Sequence, residues 1–299
     1  MDTALALLPD FALILLGFAL KRAMLREEHF WAQLERLIYF ILFPALLFHS
    51  VTRLPLDIRA MAPLILAVTL VVATGMLFGL TARGLFPLPA MSWASMFQCA
   101  FRYNTYIGLA VAGKLHGIEG MAAMGVAAGV MVPLVNIASA WALARHSEAS
   151  VLSELARNPL VLATLAGLAW NLFALPLPQP AQHFLGRLAE ASISLGLLSV
   201  GAALRLRGAL GPGLRLAAGW FLAVKLLLLP LVALAARRWF GLAGVAADVV
   251  LIFAALPTAT SAYILAQRMG GDGMRVAWLV SASTLAAMLT LPFWLIHGR

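Results

Sequence analysis

The 299-residue chain is 63% hydrophobic and only 11% charged, whereas a soluble domain carries about 25% charged residues. This composition describes an integral membrane protein and excludes a soluble enzyme or a nucleic-acid-binding module. The formal charge of +9 does not call for a nucleic-acid partner, because the basic residues fall in short loops between apolar runs, where they act as topology signals. The single cysteine, Cys99, rules out an internal disulfide and a cysteine-based metal cluster.

A helical span needs about 20 apolar residues. Hydropathy places ten spans along the chain: Ala4 to Leu20, Leu34 to Val51, Met61 to Leu85, Met91 to Leu115, Met121 to Ala144, Leu160 to Leu177, Phe184 to Leu204, Leu214 to Ala236, Ala247 to Gln267 and Val276 to His297. The N-terminus lacks the positive region of a cleaved signal peptide, so the first run is read as a retained helix. The larger share of the basic loop residues, among them Lys21, Arg22, Arg26, Arg83, Arg145 and Arg157, falls on one side. By the positive-inside rule that side is cytoplasmic and both termini lie outside.

The most polar loop, RHSEASVLSELARN from Arg145 to Asn158, divides five spans from five. The predicted organisation is a first repeat over 1–145, a central cytoplasmic loop over 146–158 and a second repeat over 159–299. Five is odd, so the second half enters the membrane in the opposite sense to the first, which is the inverted-repeat condition. The fold class is therefore an all-α membrane protein with ten transmembrane helices in two inverted five-helix repeats.

Two of these spans are interrupted. FQCAFRYNTYIGLAVAG, from Phe97 to Gly113, and AALPTATSAYILAQ, from Ala254 to Gln267, are apolar outside and polar or proline-bearing inside. Asn104 and Pro257 each fall roughly 15–20 Å into their spans at 1.5 Å per residue, near the middle of a core about 30 Å thick. Broken helices 4 and 9 are expected to cross there. Each break leaves the N-terminus of a following half-helix, near Thr105 and near Ala259, pointing at the membrane centre with orphan N–H groups that attract an anion.

The candidate substrate-binding residues follow: Arg102, Asn104, Thr105, Tyr106, Pro257, Thr258, Thr260 and Ser261. Arg102 offers a forked donor suited to a carboxylate, or else caps carbonyls freed by the break or snorkels toward the cytoplasmic face. Asn104 and the hydroxyl residues can satisfy unwound backbone or a ligand. Lys225, in the middle of the eighth span, is expensive there; it balances a substrate carboxylate, titrates, or holds carbonyls of the crossing. Asp10 is a proton or cation site, a counter-ion for Lys225, or a hydrated carboxylate near the outer surface. Gly75 with Gly79 has the spacing of small residues at close helix contacts.

Enzyme chemistry lacks its residues. Asp10 and Asp248 stand alone, no H-E-x-x-H or G-x-S-x-G occurs, and no Walker lysine loop is present. No metal or cofactor is expected.

At these residues the chain resembles the auxin efflux carrier family, whose bacterial members are permeases of this size. The resemblance rests on FRYNTYIGLA at Phe101 to Ala110, NPLVLATLAGLAWNLFALPLP from Asn158, KLLLLP at Lys225 to Pro230, LPTATSAYILAQRMGGD at Leu256 to Asp272 and STLAAMLTLPFW at Ser283 to Trp294. It implies a scaffold of helices 1, 2, 6 and 7 and a transport domain containing the crossing, moving as an elevator. It also implies small organic-anion substrates such as malate or malonate, drive by membrane potential or proton gradient, a homodimer, and the bacterial inner membrane. Plant members carry a proline at both breaks, whereas here Pro257 serves the second and Asn104-Thr105 the first. The alternatives are a sodium-coupled symporter of the bile-acid type, whose fold is similar, and a non-transporting membrane sensor or assembly subunit.

Overall fold

The computed structural model describes residues 2–52, 58–144, 159–205 and 212–298, and among them every regular element is a helix. The predicted central loop, 146–158, lies outside the described residues. In chain order the elements are α1 (Asp2–Ala23), α2 (Glu28–Leu37), a π turn (Ile38–Leu42), α3 (Phe43–Val51), α4 (Ile58–Leu85), α5 (Ala90–Phe97) and a 3-10 turn (Gln98–Ala100). There follow α6 (Thr105–Ala144), α7 (Pro159–Leu172), α8 (Gln179–Ala202), α9 (Pro212–Ala223), a second π turn (Val224–Leu228), α10 (Leu229–Trp239), α11 (Gly244–Ala255), α12 (Ser261–Arg268) and α13 (Gly273–His297). Six helical runs among the described residues are long and apolar enough to cross a membrane. In hydrocarbon only such a helix satisfies its own backbone, which is why near-continuous apolar sequence takes this form.

Prolines write the irregularities. Each π turn ends just before a proline in the first turn of the next helix, Pro44 in α3 and Pro230 in α10. Proline has no N–H to give to the carbonyl four residues back, so the helix widens locally. At the second turn that carbonyl belongs to Leu226, and the Trp294 indole donates to it at 2.8 Å.

α6 reverses within its length. Gly117 adopts φ 59°, ψ −141°, a left-handed conformation glycine takes without steric cost. Beyond it the chain returns along itself: a Cβ on Gly113 would meet the Met121 side chain, one on Gly108 that of Met124, and the Tyr103 hydroxyl donates to the Ala128 carbonyl at 3.1 Å. The predicted fourth and fifth spans are thus joined by one glycine.

The sixth predicted span ends earlier than its hydropathy suggests, at Leu172 rather than Leu177. Ala174 takes a left-handed φ of 47°, and the following Pro176 and Pro178 cannot continue a helix. α8 then starts at Gln179, before the expected Phe184.

Glycines set the closest packing. α1 lies directly on α8, where a Cβ on Gly17 would overlap the Leu198 carbonyl and one on Gly201 the Ile14 carbonyl. α3 packs on α7 and α8, with Gly167 against Val51. On α4, Gly75 faces the Ala100 carbonyl at 2.9 Å and Gly79 the Phe97 ring at 2.9 Å from a would-be Cβ. That stripe seats α5 and the 3-10 turn, and so fixes where the chain between Phe101 and Asn104 lies.

Candidate functional site

The chain leaves helical geometry twice in the interior, between Ala100 and Thr105 and between Ala255 and Ser261. The two breaks bond to each other: the Asn104 N–H donates to the Pro257 carbonyl at 2.9 Å. A second link joins the Thr258 hydroxyl to the Cys99 carbonyl at 3.0 Å. These links give the Asn104 N–H and the Pro257 and Cys99 carbonyls partners from the opposite break, the pairing that buried backbone needs.

Asn104 caps the helix that follows it. Its Oδ1 accepts from Tyr106 N at 3.1 Å and Ile107 N at 3.3 Å, the N-cap pattern that satisfies orphan first-turn donors. Because Oδ1 must be the acceptor, the amide orientation is fixed. Nδ2 then points elsewhere, and it is buried without a hydrogen-bond partner among the described residues. An unmet buried donor costs about 1–3 kcal/mol.

Arg102 is 7% exposed. Its guanidinium donates to Gln98 Oε1 at 3.4 Å, Asn136 Oδ1 at 2.9 Å and Ser261 Oγ at 3.2 Å. All three acceptors are neutral, and the fork has five donors in all. Arg102 therefore ties the first break to α12 and to the return limb of α6 without losing its charge. The expectation that it caps freed carbonyls is not what the geometry has; side-chain oxygens hold it.

Lys225 is 1% exposed in the second π turn, and that turn packs on the 3-10 turn leading into the first break. Among the described residues no hydrogen-bond or ion-pair partner accompanies it. A lysine at the centre of a span costs about 2.5–3.5 kcal/mol on insertion scales. The counter-ion option for Lys225 is not realised by Asp10, whose carboxylate faces Lys114 Nζ at 3.6 Å where α1 meets the first limb of α6.

Acids pair near helix ends. Asp248 meets His116 at 2.9 Å, Glu28 meets Lys21 at 2.8 Å, and Asp272 meets Arg275 at 2.6 Å. The fully buried charged side chains among the described residues are Arg102 and Lys225, with no carboxylate beside them in that set. The interior thus carries an excess of positive charge around the two breaks.

The remaining predicted residues fall as follows. Pro257 and Thr258 are buried, and Thr258 N–H is held by Ser283 Oγ at 3.1 Å. Thr105, Tyr106 and Thr260 are half-buried and Ser261 exposed, so the helix starts face an accessible space. α12 begins two residues after the expected Ala259, because its approach is wound in i→i+3 fashion: Ala262 N bonds to Ala259 O and Tyr263 N to Thr260 O, each at 3.1 Å. Gln98 and Ser283 escaped the sequence reading; the serine-threonine cluster Ser281–Thr284 inside an apolar run was the available signal for the second. Among the described residues no group of His, Cys, Asp or Glu could hold a metal ion.

Residues 142–295, just over half of the chain, match the family profile described as membrane transport protein. A protein of Rhizobium meliloti (strain 1021) named "Putative malonate transporter" is 29% identical over 308 residues, covering 95% of this chain and 92% of that one. A Methanothermobacter thermautotrophicus protein named "Uncharacterized transporter" is 26% identical over 309 residues, covering 98% and 96%.

Proposed function

Because this chain belongs to the auxin efflux carrier family of membrane transport proteins, we propose that it is a permease for small organic anions, carboxylates above all, which bind where the two broken helices meet. One observation carries the reading: the two helix starts, at the ends of hydrogen-bonded breaks, lie in a region whose buried charged side chains among the described residues are Arg102 and Lys225, with no buried carboxylate. An anion placed there neutralises charge that otherwise costs several kcal/mol to bury. It also meets the helix N-termini, where the partial positive charge favours it.

In this reading Asn104 Nδ2 and the free donors of Arg102 contact the anion directly, and Thr105, Tyr106, Pro257, Thr258, Thr260 and Ser261 shape the pocket around it. Lys225 acts at longer range, through its charge. Asp10, half-buried and facing Lys114 rather than Lys225, stands apart from the breaks.

The architecture proposed with it is ten membrane spans in two inverted five-helix repeats, 1–145 and 159–299, joined by a cytoplasmic loop over 146–158, with helices 4 and 9 crossing at the midplane. The reversal at Gly117 and the breaks at matching depth support the count of ten. α1, α2 with α3, α7 and α8 form the scaffold, in keeping with their glycine-mediated contacts; the remaining helices move against them as an elevator. The protein sits in a bacterial inner membrane with both termini outside, as a homodimer, and is driven by membrane potential or by a coupled proton or sodium ion. The name of the Rhizobium meliloti relative makes malonate the first substrate to try.

The test is uptake of labelled malonate into proteoliposomes with sodium or potassium outside and at two values of pH. Saturable uptake that Asn104→Leu abolishes supports the carrier. Uptake that needs sodium assigns the coupling ion to a symporter, and the absence of uptake for any carboxylate defeats the reading.

A further inference from the structure

Tyr106 stands in the first turn of α6, and its N–H donates to Asn104 Oδ1 at 3.1 Å. Its ring leaves the break and crosses to the helices on the other side of the boundary. There it meets the Phe43 ring edge-on, with centroids 4.3 Å apart and planes at 85°. On its other flank it lies over Gly196 of α8. A Cβ on Gly196 would overlap Tyr106 Cδ1, and would sit 2.9 Å from Cε1 and 3.0 Å from Cγ.

Those are atoms of the rigid ring, held three bonds or fewer from the backbone-attached carbon. They cannot swing aside as the end of a flexible chain would, so a side chain at 196 displaces the whole of Tyr106. Phe43 offers no room on the opposite flank, being 2% exposed in the core. Its position is fixed by the π turn that ends one residue earlier, with Phe43 N–H bonded to Ile38 O.

We propose that Gly196 is a positioning residue for anion binding: its missing side chain forms the seat that holds Tyr106, and through Tyr106 the Asn104 cap and the helix start, in the geometry that receives the anion. The inference rests on the carrier reading above. Gly196 touches no anion itself. It acts across the boundary between α8, which packs with α1 and α3, and α6, which bears the helix start. Any relative movement of these two groups must withdraw the ring from its seat, so the seat also defines one resting register of the two.

The test uses the full-length protein in detergent, with malonate as the probe and its half-saturating concentration read from thermal shift. The variants are Gly196→Ala, Tyr106→Ala and the double variant. Gly219→Ala serves as the control, because Gly219 lies in α9 with open space where a Cβ would go. Gly196→Ala is expected to raise the half-saturating malonate concentration at least tenfold while Gly219→Ala leaves it unchanged. In the Tyr106→Ala background the same glycine substitution is expected to change it less than twofold, since the ring it displaces is gone.

An unchanged malonate response in Gly196→Ala, or an equal loss in both backgrounds, overturns the seat. Should Gly196→Ala yield no folded protein, recovery of folded protein in the double variant supports the seat and its failure overturns it. If the wild-type protein answers to no carboxylate, the carrier reading falls separately; melting temperatures then judge the seat, which equal losses from Gly196→Ala in both backgrounds would overturn.

Discussion

Two arginines show how differently the same charge is treated in this molecule. Arg275, in the first turn of α13, pairs with Asp272 at 2.6 Å and also donates to Ser92 Oγ. Asp272 in turn caps α13 through Arg275 N at 3.2 Å, accepts from Ser92 Oγ at 3.1 Å, and gives its own N–H to Ser95 Oγ at 2.8 Å. Charge and hydrogen bonds close within the cluster, which fastens α5 to the turn before α13. Arg102 joins α6 to α12 in a comparable way, yet its acceptors are Gln98, Asn136 and Ser261 and its charge stays uncompensated. A closed cluster is what structure alone requires. A buried cation with no carboxylate partner among the described residues is what the proposed anionic ligand would neutralise.

The comparison is broken most sharply at Asn104. Asn104→Leu removes both the cap of α6 and the free Nδ2, so malonate binding is expected to fall more than a hundredfold, read by equilibrium binding. Stability should fall only by about 1 kcal/mol, the usual cost of a lost N-cap, read as a small drop in melting temperature. Lys225→Met is the next largest and has the opposite sign in its two readouts. Removing an unpaired buried charge in favour of an apolar side chain of similar length raises the melting temperature, whereas malonate affinity falls about tenfold with the loss of a nearby positive charge. A lower melting temperature in that variant would make Lys225 a structural tie.

Asp272→Asn tests the other arginine. It opens a partly exposed cluster and should cost on the order of 1–2 kcal/mol in stability with half-saturating malonate unchanged. A loss of affinity there would mean that the two regions are not separable. Asp10→Asn is the smallest, within about 1 kcal/mol of wild type because its contact with Lys114 at 3.6 Å is long for an ion pair, and neither binding nor its salt dependence should move.

Much of this arrangement is written locally. An apolar run broken by Arg102–Thr105, and another broken by Pro257, mark their own interruptions, because proline and polar side chains cannot stay in a lipid-facing helix without special provision. Asn104 as a cap is equally local: the residue type, the break before it and the helix after it suffice. Partners distant in sequence are another matter. That Arg102 rests on Asn136 and Ser261, that Thr258 N–H is taken by Ser283, and that Asp10 meets Lys114 rather than Lys225 all depend on how separate helices register, which no single-chain periodicity encodes. The seat at Gly196 is the extreme case. A glycine in an apolar helix resembles any other small residue until the Tyr106 ring is found lying over it. The π turns fall between these extremes, since Pro44 and Pro230 announce a missing hydrogen bond but leave open whether the helix kinks or widens.

The central claim, that the meeting of the two breaks is an anion site, is tested most directly by malonate titration of the purified wild-type protein beside Asn104→Leu, followed by thermal unfolding. A ligand that binds only the folded state stabilises it by about 2.7 kcal/mol at a hundred times its dissociation constant. If the anion binds at the breaks, the melting temperature climbs with malonate concentration in the wild type and stays flat in Asn104→Leu. An equal climb in both proteins would contradict it, because the anion would then be binding somewhere other than the breaks.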